Sequence, residues 1–366
     1  MLTKQNSIEI DALRGVAAFG VVWGHSMYAL NMPVELNGAF WVWIFFSLSG
    51  FFIGEAFIDG KYKLSTDWYF FLWNRFLRIL PLYYIALCLG LIFEFITAPE
   101  KINALEVIRQ FLFISPLNST TLSGPLWALA VIVKFYIFSI FFIWIITKVN
   151  LEKRFTLLLS LLVFSIIISA LYIKVYGDNS VQPRTLLGNL HFFIWGMLLS
   201  VINWERLPRI SSINKFYAIF ILILIAWYLN NWELSYFWGL GDRLINYVAL
   251  SGGSLCALSI VFIIMLREPG DNNGNNFKAE NKLIKPLVWC GFYSYAIYVW
   301  HSILGKANQL FFHINPGIIR LGFLLLSLAA AYFNYKLIEA PLQQFRTGKT
   351  ASHFSKKPKM EKSYVR

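Results

Sequence analysis

IDALRGVAAFGVVWGHSMY, residues 10–28, decides the reading of the whole chain. The run is apolar enough to enter a bilayer, yet it carries Arg14 and His25. Ionisable groups in hydrocarbon are costly. They face a protein interior or a wet cavity, which makes them markers of function. The eleven-residue step from Arg14 to His25 turns about 1100° at about 100° per residue, within about 20° of three full turns. The two side chains therefore share one helix face, roughly 16 Å apart along the axis. One end of that face holds a permanent cation, the other a group that accepts a proton near neutral pH. The plain alternative is an Arg14 that snorkels to the headgroups and a His25 satisfied in the core.

Outward from that stretch, the composition agrees. The 366 residues are 58% hydrophobic and 14% charged, where an ordinary soluble domain holds about a quarter charged residues. A soluble fold is excluded, and an all-α, polytopic integral membrane protein is expected. A net charge of +13 would point to nucleic acid in a soluble chain. Here cytoplasmic loops beside anionic membrane lipids account for it, and no nucleic-acid partner is expected. Cys88, Cys256 and Cys290 all fall in apolar runs and read as small core residues. They form no disulfide framework and no metal-ligand spacing, so no metal is expected. Asp11 and Arg14 interrupt the first run and no small-x-small cleavage site follows, so it does not read as a signal peptide.

A helical span needs about 20 apolar residues. Ten runs qualify: 9–30, 38–58, 76–97, 125–147, 155–175, 185–203, 213–231, 243–266, 286–306 and 317–338. Residues 1–345 are expected to form one domain of about ten transmembrane helices. Residues 346–366 are expected to be a basic, disordered cytoplasmic tail. Between Pro99 and Gly124, VIRQFLFI (107–114) reads as a short amphipathic helix lying in the interface. Basic residues gather in loops after even-numbered runs, such as Lys61, Lys153, Arg154, Arg206 and Arg267, and in the tail. The positive-inside rule then puts both termini in the cytoplasm, with 267–282 as a flexible cytoplasmic loop.

Further constellations carry polar chemistry. In FFSLSGFF (45–52), Ser49 and Gly50 let a helix or a ligand approach the backbone closely. Glu55, one turn on, is a plausible ion partner for Arg14 at similar depth. In RFLRILPLYY, Arg75 and Arg78 share a face at the inner end of the third run, placed to grip phosphates or simply to anchor the helix. Pro81 is expected within the first turns. In PLWALAVIVKFY, Lys134 falls near mid-membrane, where it needs a carboxylate or water, and Glu94 is a candidate partner. Arg184 and His191 are expected two turns apart on one face of the sixth run. His301, ending YSYAIYVWH, reads as an interfacial anchor or a site residue. Glu339 and Pro341 close the tenth run with a cap or an ion pair.

Taken in order, IDALRGVAAFGVVWGH, FFSLSGF, RFLRILP, PLWALAVIVKFY, SYAIYVWH and LIEAP resemble the membrane acyltransferase-3 family of bacterial carbohydrate O-acyltransferases. The likeness extends from residue 10 to about 341. Arg-x10-His followed by FFxxSGF is its specific part. The resemblance implies acyl-CoA, with acetyl-CoA the expected form, as a cytoplasmic co-substrate. The acceptor would be a carbohydrate hydroxyl, free or lipid-linked, such as an O-antigen (lipopolysaccharide) or exopolysaccharide sugar. The implied location is a bacterial inner membrane. It implies Arg14 and His25 as the catalytic pair, and Arg75 and Arg78 as the family's arginine couple. Ser49, Gly50, Trp127, Lys134, Arg184 and His301 complete the expected substrate- and donor-binding set. Two departures stand out. Many relatives read W-S-L-x-x-E at the fourth motif, whereas here Trp127 is kept but Ala128 and Ile132 replace the Ser and Glu. Many also carry an acidic residue before the FF of the second motif, where this chain has Trp43. Some relatives add a C-terminal hydrolase-like domain, for which this sequence has no room.

The expected role for His25 is general base toward the acceptor hydroxyl. Arg14 would act on it through charge or water, or would bind the pantetheine arm. Direct transfer or an acyl-His intermediate both fit, since no Ser or Cys nucleophile stands out. The rival reading is a transporter of a lipid-linked sugar or anion, which the buried charges also fit but the absence of repeated halves does not.

Overall fold

The computed structural model describes residues 4–28, 38–58, 62–114, 126–176, 184–229, 242–269, 284–307 and 316–346, and no strand occurs among them. The chain is all-α. Its helices are α1 (Lys4–Tyr28), α2 (Gly38–Phe57), α3 (Leu64–Thr97), α4 (Ala104–Phe111), α5 (Trp127–Lys148) and α6 (Leu151–Tyr176). They continue with α7 (Leu186–Ser200), α8 (Ser212–Leu229), α9 (Asp242–Met265), α10 (Ile284–Phe292), α11 (Ser294–Ala307) and α12 (Pro316–Asn334). Nine of the ten predicted runs each fall on one helix, and the run 286–306 covers two. Among the described residues, α2, α3, α5, α6 and α8 are long and apolar enough to cross a membrane. The outward display of Phe138, Phe141, Trp144, Phe164, Phe216 and Phe220 is what lipid, not water, requires. The basic tail beyond Arg346 and most of the 267–282 loop lie outside the described residues.

The chain divides into two compact units, Met1–Lys61 with Ile143–Phe292, and Tyr62–Phe142 with Tyr293–Arg366. In the first, α2 and α7 make the most extensive contact. It depends on missing side chains: a methyl at Gly50 would strike the Phe193 carbonyl, and one at Gly196 the Ser47 carbonyl. Close approach of this kind is how helices associate where lipid is as apolar as their own side chains. Gly50 meets Phe193 and Gly54 meets Met197, so the two helices run parallel, as two even-numbered runs should. Trp43 stacks on Phe192 at 5.1 Å and Phe46 on Phe193 at 4.7 Å, filling the seam. Near the start of α1, the Lys215 ammonium of α8 meets the Glu9 carboxylate at 2.7 Å, both side chains buried.

The ninth run is not one element. Gly291 backs onto the Asp11 carbonyl and Gly15 onto that of Leu287, so α10 runs against α1. A ninth span crossing in the sense of the first would run with it. The apolar run 286–306 is divided at Tyr293 into α10 and α11. Hydropathy is continuous through the break and could not reveal it.

In the second unit, α3 is 34 residues long, about 51 Å, well beyond a hydrocarbon core of about 30 Å. Its first turns expose Trp68, Tyr69, Phe70 and Trp73, an aromatic collar suited to the headgroup layer. Pro81 therefore lies in the helix interior, not in the first turns, because the helix starts a dozen residues before the apolar run does. The predicted amphipathic segment forms α4, capped by the Asn103 side chain on the Leu105 and Glu106 amides. Tyr83 and Tyr84 of α3 donate to the Gln110 and Phe111 carbonyls at 2.8 and 3.2 Å, tying α4 down by its C-terminus. Helices α11 and α12 pack together, and α11 also packs on α3.

Candidate functional site

The predicted site residues divide between the two units. In the first, α1 carries Arg14 and His25 on one unbroken helix, so the face they were expected to share is present. Arg14 Nη1 lies 3.2 Å from Asp11 Oδ1, one turn back, which gives the guanidinium a carboxylate that the sequence reading overlooked. His25 stands in the last turn of α1. A methyl built on Gly38, the first residue of α2, would lie 3.3 Å from its Nε2, so the absent side chain leaves the ring its place.

Arg184 corrects an expectation. It was placed with His191 on one face of the sixth run, but the helix starts later. Thr185 is its N-cap, its hydroxyl accepting from the Gly188 amide at 3.3 Å. Arg184 precedes the cap, and its charge acts on His25. His191, inside α7, packs its ring on Phe192 at 4.1 Å. Arg184, Gly38 and His25 thus gather at one end of this unit. At the other end a cavity of about 270 Å³ is lined by Asn6, Glu55, Arg154, Trp204 and Arg267, among others. Ser49 sits in α2 beside Gly50, whose close neighbour is the α7 backbone: of the two partners foreseen for it, a helix fills the place.

The second unit holds the other cluster. Arg75 lies over the rings of Phe71 and Tyr136, at 5.2 and 5.7 Å, a cation–π arrangement that fixes its stem between α3 and α5. Arg75 also pulls against the rise that burial gives the Tyr62 phenol, a rise that the Asp67 carboxylate reinforces. One turn on, Arg78 faces the Tyr295 hydroxyl, which donates to the Ile79 carbonyl at 2.5 Å. Glu339 closes a π-helical turn, Tyr335–Glu339, and accepts from the Asn334 amide at 2.9 Å. It too faces Tyr295. Glu339 is therefore part of an arginine-rich cluster, beyond the cap expected of it.

Sequence reasoning missed Arg346, which it assigned to a disordered tail. Trp73 of α3 donates from its indole to the Phe345 carbonyl at 3.1 Å, holding the main chain next to Arg346 against the arginine-bearing turns. Burial lowers the Arg346 pKa to about 10, and the Arg78 charge adds to this, Glu339 opposes it and Arg75 adds a little more. The group stays a cation at neutral pH. No local motif marks it; only the fold brings it in.

Trp127 opens α5, and Lys134 is half-buried two turns along it. Glu94 is buried in α3. His301 is only 2% exposed and meets Tyr298 edge-on at 5.5 Å, so it is a core residue and not an interfacial anchor. Cys88 is exposed, unlike Cys256, so one thiol departs from the core assignment given to all three.

A family model described as an acyltransferase domain matches residues 7–335. Among curated proteins, the chain is 24% identical to the peptidoglycan O-acetyltransferase OatA of Listeria monocytogenes, over 92% of its own length and 55% of that protein's. It is 25% identical to the O-acetyltransferase OatA of Staphylococcus aureus, over 98% of its length and 60% of that relative's. The chain therefore spans little more than half the length of these relatives. No solved structure matches.

Proposed function

The chain belongs to the acyltransferase domain family, and on that premise we propose that it is an integral membrane O-acyltransferase moving an acetyl group from cytoplasmic acetyl-CoA to a carbohydrate hydroxyl. The observation that carries this reading is the unbroken helix α1 that holds Arg14 and His25 on one face, with Gly38 leaving the His25 ring its place. His25 would take the proton from the acceptor hydroxyl. The oxygen then attacks the thioester carbonyl, the C–S bond breaks, and coenzyme A leaves as the thiolate that takes up a proton. Arg184, a fixed cation beside the base, would stabilise the oxyanion formed in that attack. Arg75 and Arg78 would bind the donor's phosphates.

The named relatives are O-acetyltransferases, one of them of peptidoglycan. A glycan of the cell surface is accordingly the acceptor class, with peptidoglycan placed ahead of O-antigen or exopolysaccharide sugars. Both termini would be cytoplasmic, and residues 1–345 would form the transferase domain. The test is mass spectrometry of base-labile ester on surface glycans from cells with the intact gene, without it, and with His25→Gln. Ester that depends on the protein and on His25 supports the enzyme. Unchanged ester in all three, with altered export of a lipid-linked sugar, would make it a transporter.

A further inference from the structure

We propose that Arg346 is a third phosphate-binding arginine of the donor site, joining Arg75 and Arg78 on the phosphates of coenzyme A. This rests on the donor reading above and extends it to a residue outside every motif of the chain.

Three guanidinium groups share this corner, and the acidic group acting on Arg346 is Glu339. Glu339 acts on Arg346 and Asp67 stands with Arg75 at Tyr62, so three guanidinium groups outnumber the carboxylates in a half-buried place. Like charges at a membrane surface ordinarily spread apart toward water. Here the chain does the reverse. After α12, the π turn Tyr335–Glu339 and a 3-10 turn Gln343–Phe345 fold the segment back. The Trp73 indole grips the Phe345 carbonyl, the Gln343 amide reaches the Tyr335 hydroxyl at 3.4 Å, and the Arg346 amide donates to the Gln343 carbonyl at 3.1 Å. These bonds hold Arg346 toward two other arginines at a cost in repulsion. A polyanion with several phosphates offsets that cost, and guanidinium forks suit phosphate oxygens. Arg75, stacked between rings, and Tyr295, fixed on Ile79, give the site rigid walls.

The experiment uses the full chain in nanodiscs of zwitterionic phosphatidylcholine, with coenzyme A and phosphate-free pantetheine as probes. Arg346→Gln is expected to weaken coenzyme A about tenfold, roughly one charge-assisted contact, and to leave pantetheine unchanged. Arg346→Lys, which keeps the charge but not the fork, should fall between. Thermal unfolding checks the fold of each variant, and Arg346→Lys carries the test if Arg346→Gln does not fold. Wild-type coenzyme A affinity in Arg346→Gln, together with loss in Arg78→Gln, would remove Arg346 and leave the donor site standing. Wild-type affinity in both would overturn the donor site itself. Equal loss of both probes would make Arg346 structural. In a second set of discs that contain phosphatidylglycerol, an Arg346→Gln effect on retention of that lipid with no effect on coenzyme A would assign Arg346 to lipid phosphate and overturn the proposal.

Discussion

His25 carries the heaviest chemical assignment, and one substitution isolates it. A histidine that only donates a hydrogen bond can be replaced by an amide with partial function. A general base cannot, because an amide accepts no proton at neutral pH. Losing a general base costs about 10²–10⁴ in rate. His25→Gln is therefore expected to reach normal membrane abundance and to form at most about a hundredth of the wild-type ester. His191→Gln is the control: its ring packs on Phe192 within α7, and a loss of no more than a few-fold is expected. Ester is quantified at matched protein levels. Retention of more than about a tenth by His25→Gln would remove the base assignment. Arg78→Lys, at limiting acyl-CoA, should raise KM with little change in kcat, because a point charge cannot reproduce a fork. Unchanged KM would reduce Arg78 to an anchor. Arg14 and His25 were legible in the sequence because helical periodicity alone relates them. Arg184 and Arg346 were not legible as partners: each lies just outside a helix, where position is set by caps, turns and tertiary hydrogen bonds.

At the scale of elements, apolar runs located the helices that fall on them, since hydrophobic length is a strong signal, while α4 was read from its amphipathic spacing. What they could not give was where a helix stops being apolar and goes on being helical. Helix α3 starts at Leu64, among exposed aromatics and Asp67, because helix propensity does not end at the membrane surface. Lys215 shows the same blind spot in charge counting. By position it belongs with the loop cations that follow the sixth run, yet it is 3% exposed and bound to Glu9. The pair joins α8 to the first turns of α1, the helix that carries Arg14 and His25. Breaking a buried pair by removing one partner leaves the other charge uncompensated, at about 3–5 kcal/mol. Lys215→Met is expected to lower thermal stability in detergent by that order, and Lys215→Met with Glu9→Leu to recover most of it. A single-variant cost below about 1 kcal/mol, the range of an exposed pair, would show that the contact does not hold the two helices.

At the scale of the whole molecule, the orientation in the membrane fixes which side meets the donor. Loop charge predicts cytoplasmic termini, and in the first unit α2 and α7 run parallel, as alternation requires of two even-numbered runs. The cavity lined by Asn6, Glu55, Arg154, Trp204 and Arg267 gathers the start of α1, the ends of α2, α7 and α9, and the start of α6. The loops after α7 and α9 are joined by the Ile210 amide on the Arg267 carbonyl at 2.9 Å and by Arg267 on Glu205 at 3.3 Å. In the other unit, Trp73 near the start of α3 meets Phe345 after α12. All these ends are assigned to the cytoplasm by charge, while His25, Gly38 and Arg184 gather at the opposite end of their unit. Helix α10 runs against α1 and so departs from simple alternation, which makes the shared ends the stronger guide. Labelling decides the matter. In a background lacking Cys88, Cys256 and Cys290, a membrane-impermeant maleimide added to intact cells should modify a cysteine placed at Ser119. It should reach one placed at Asn273 only after permeabilisation. The reverse pattern would put Arg75, Arg78 and Arg346 outside, where coenzyme A is not supplied, and the donor assignment would fall with the topology.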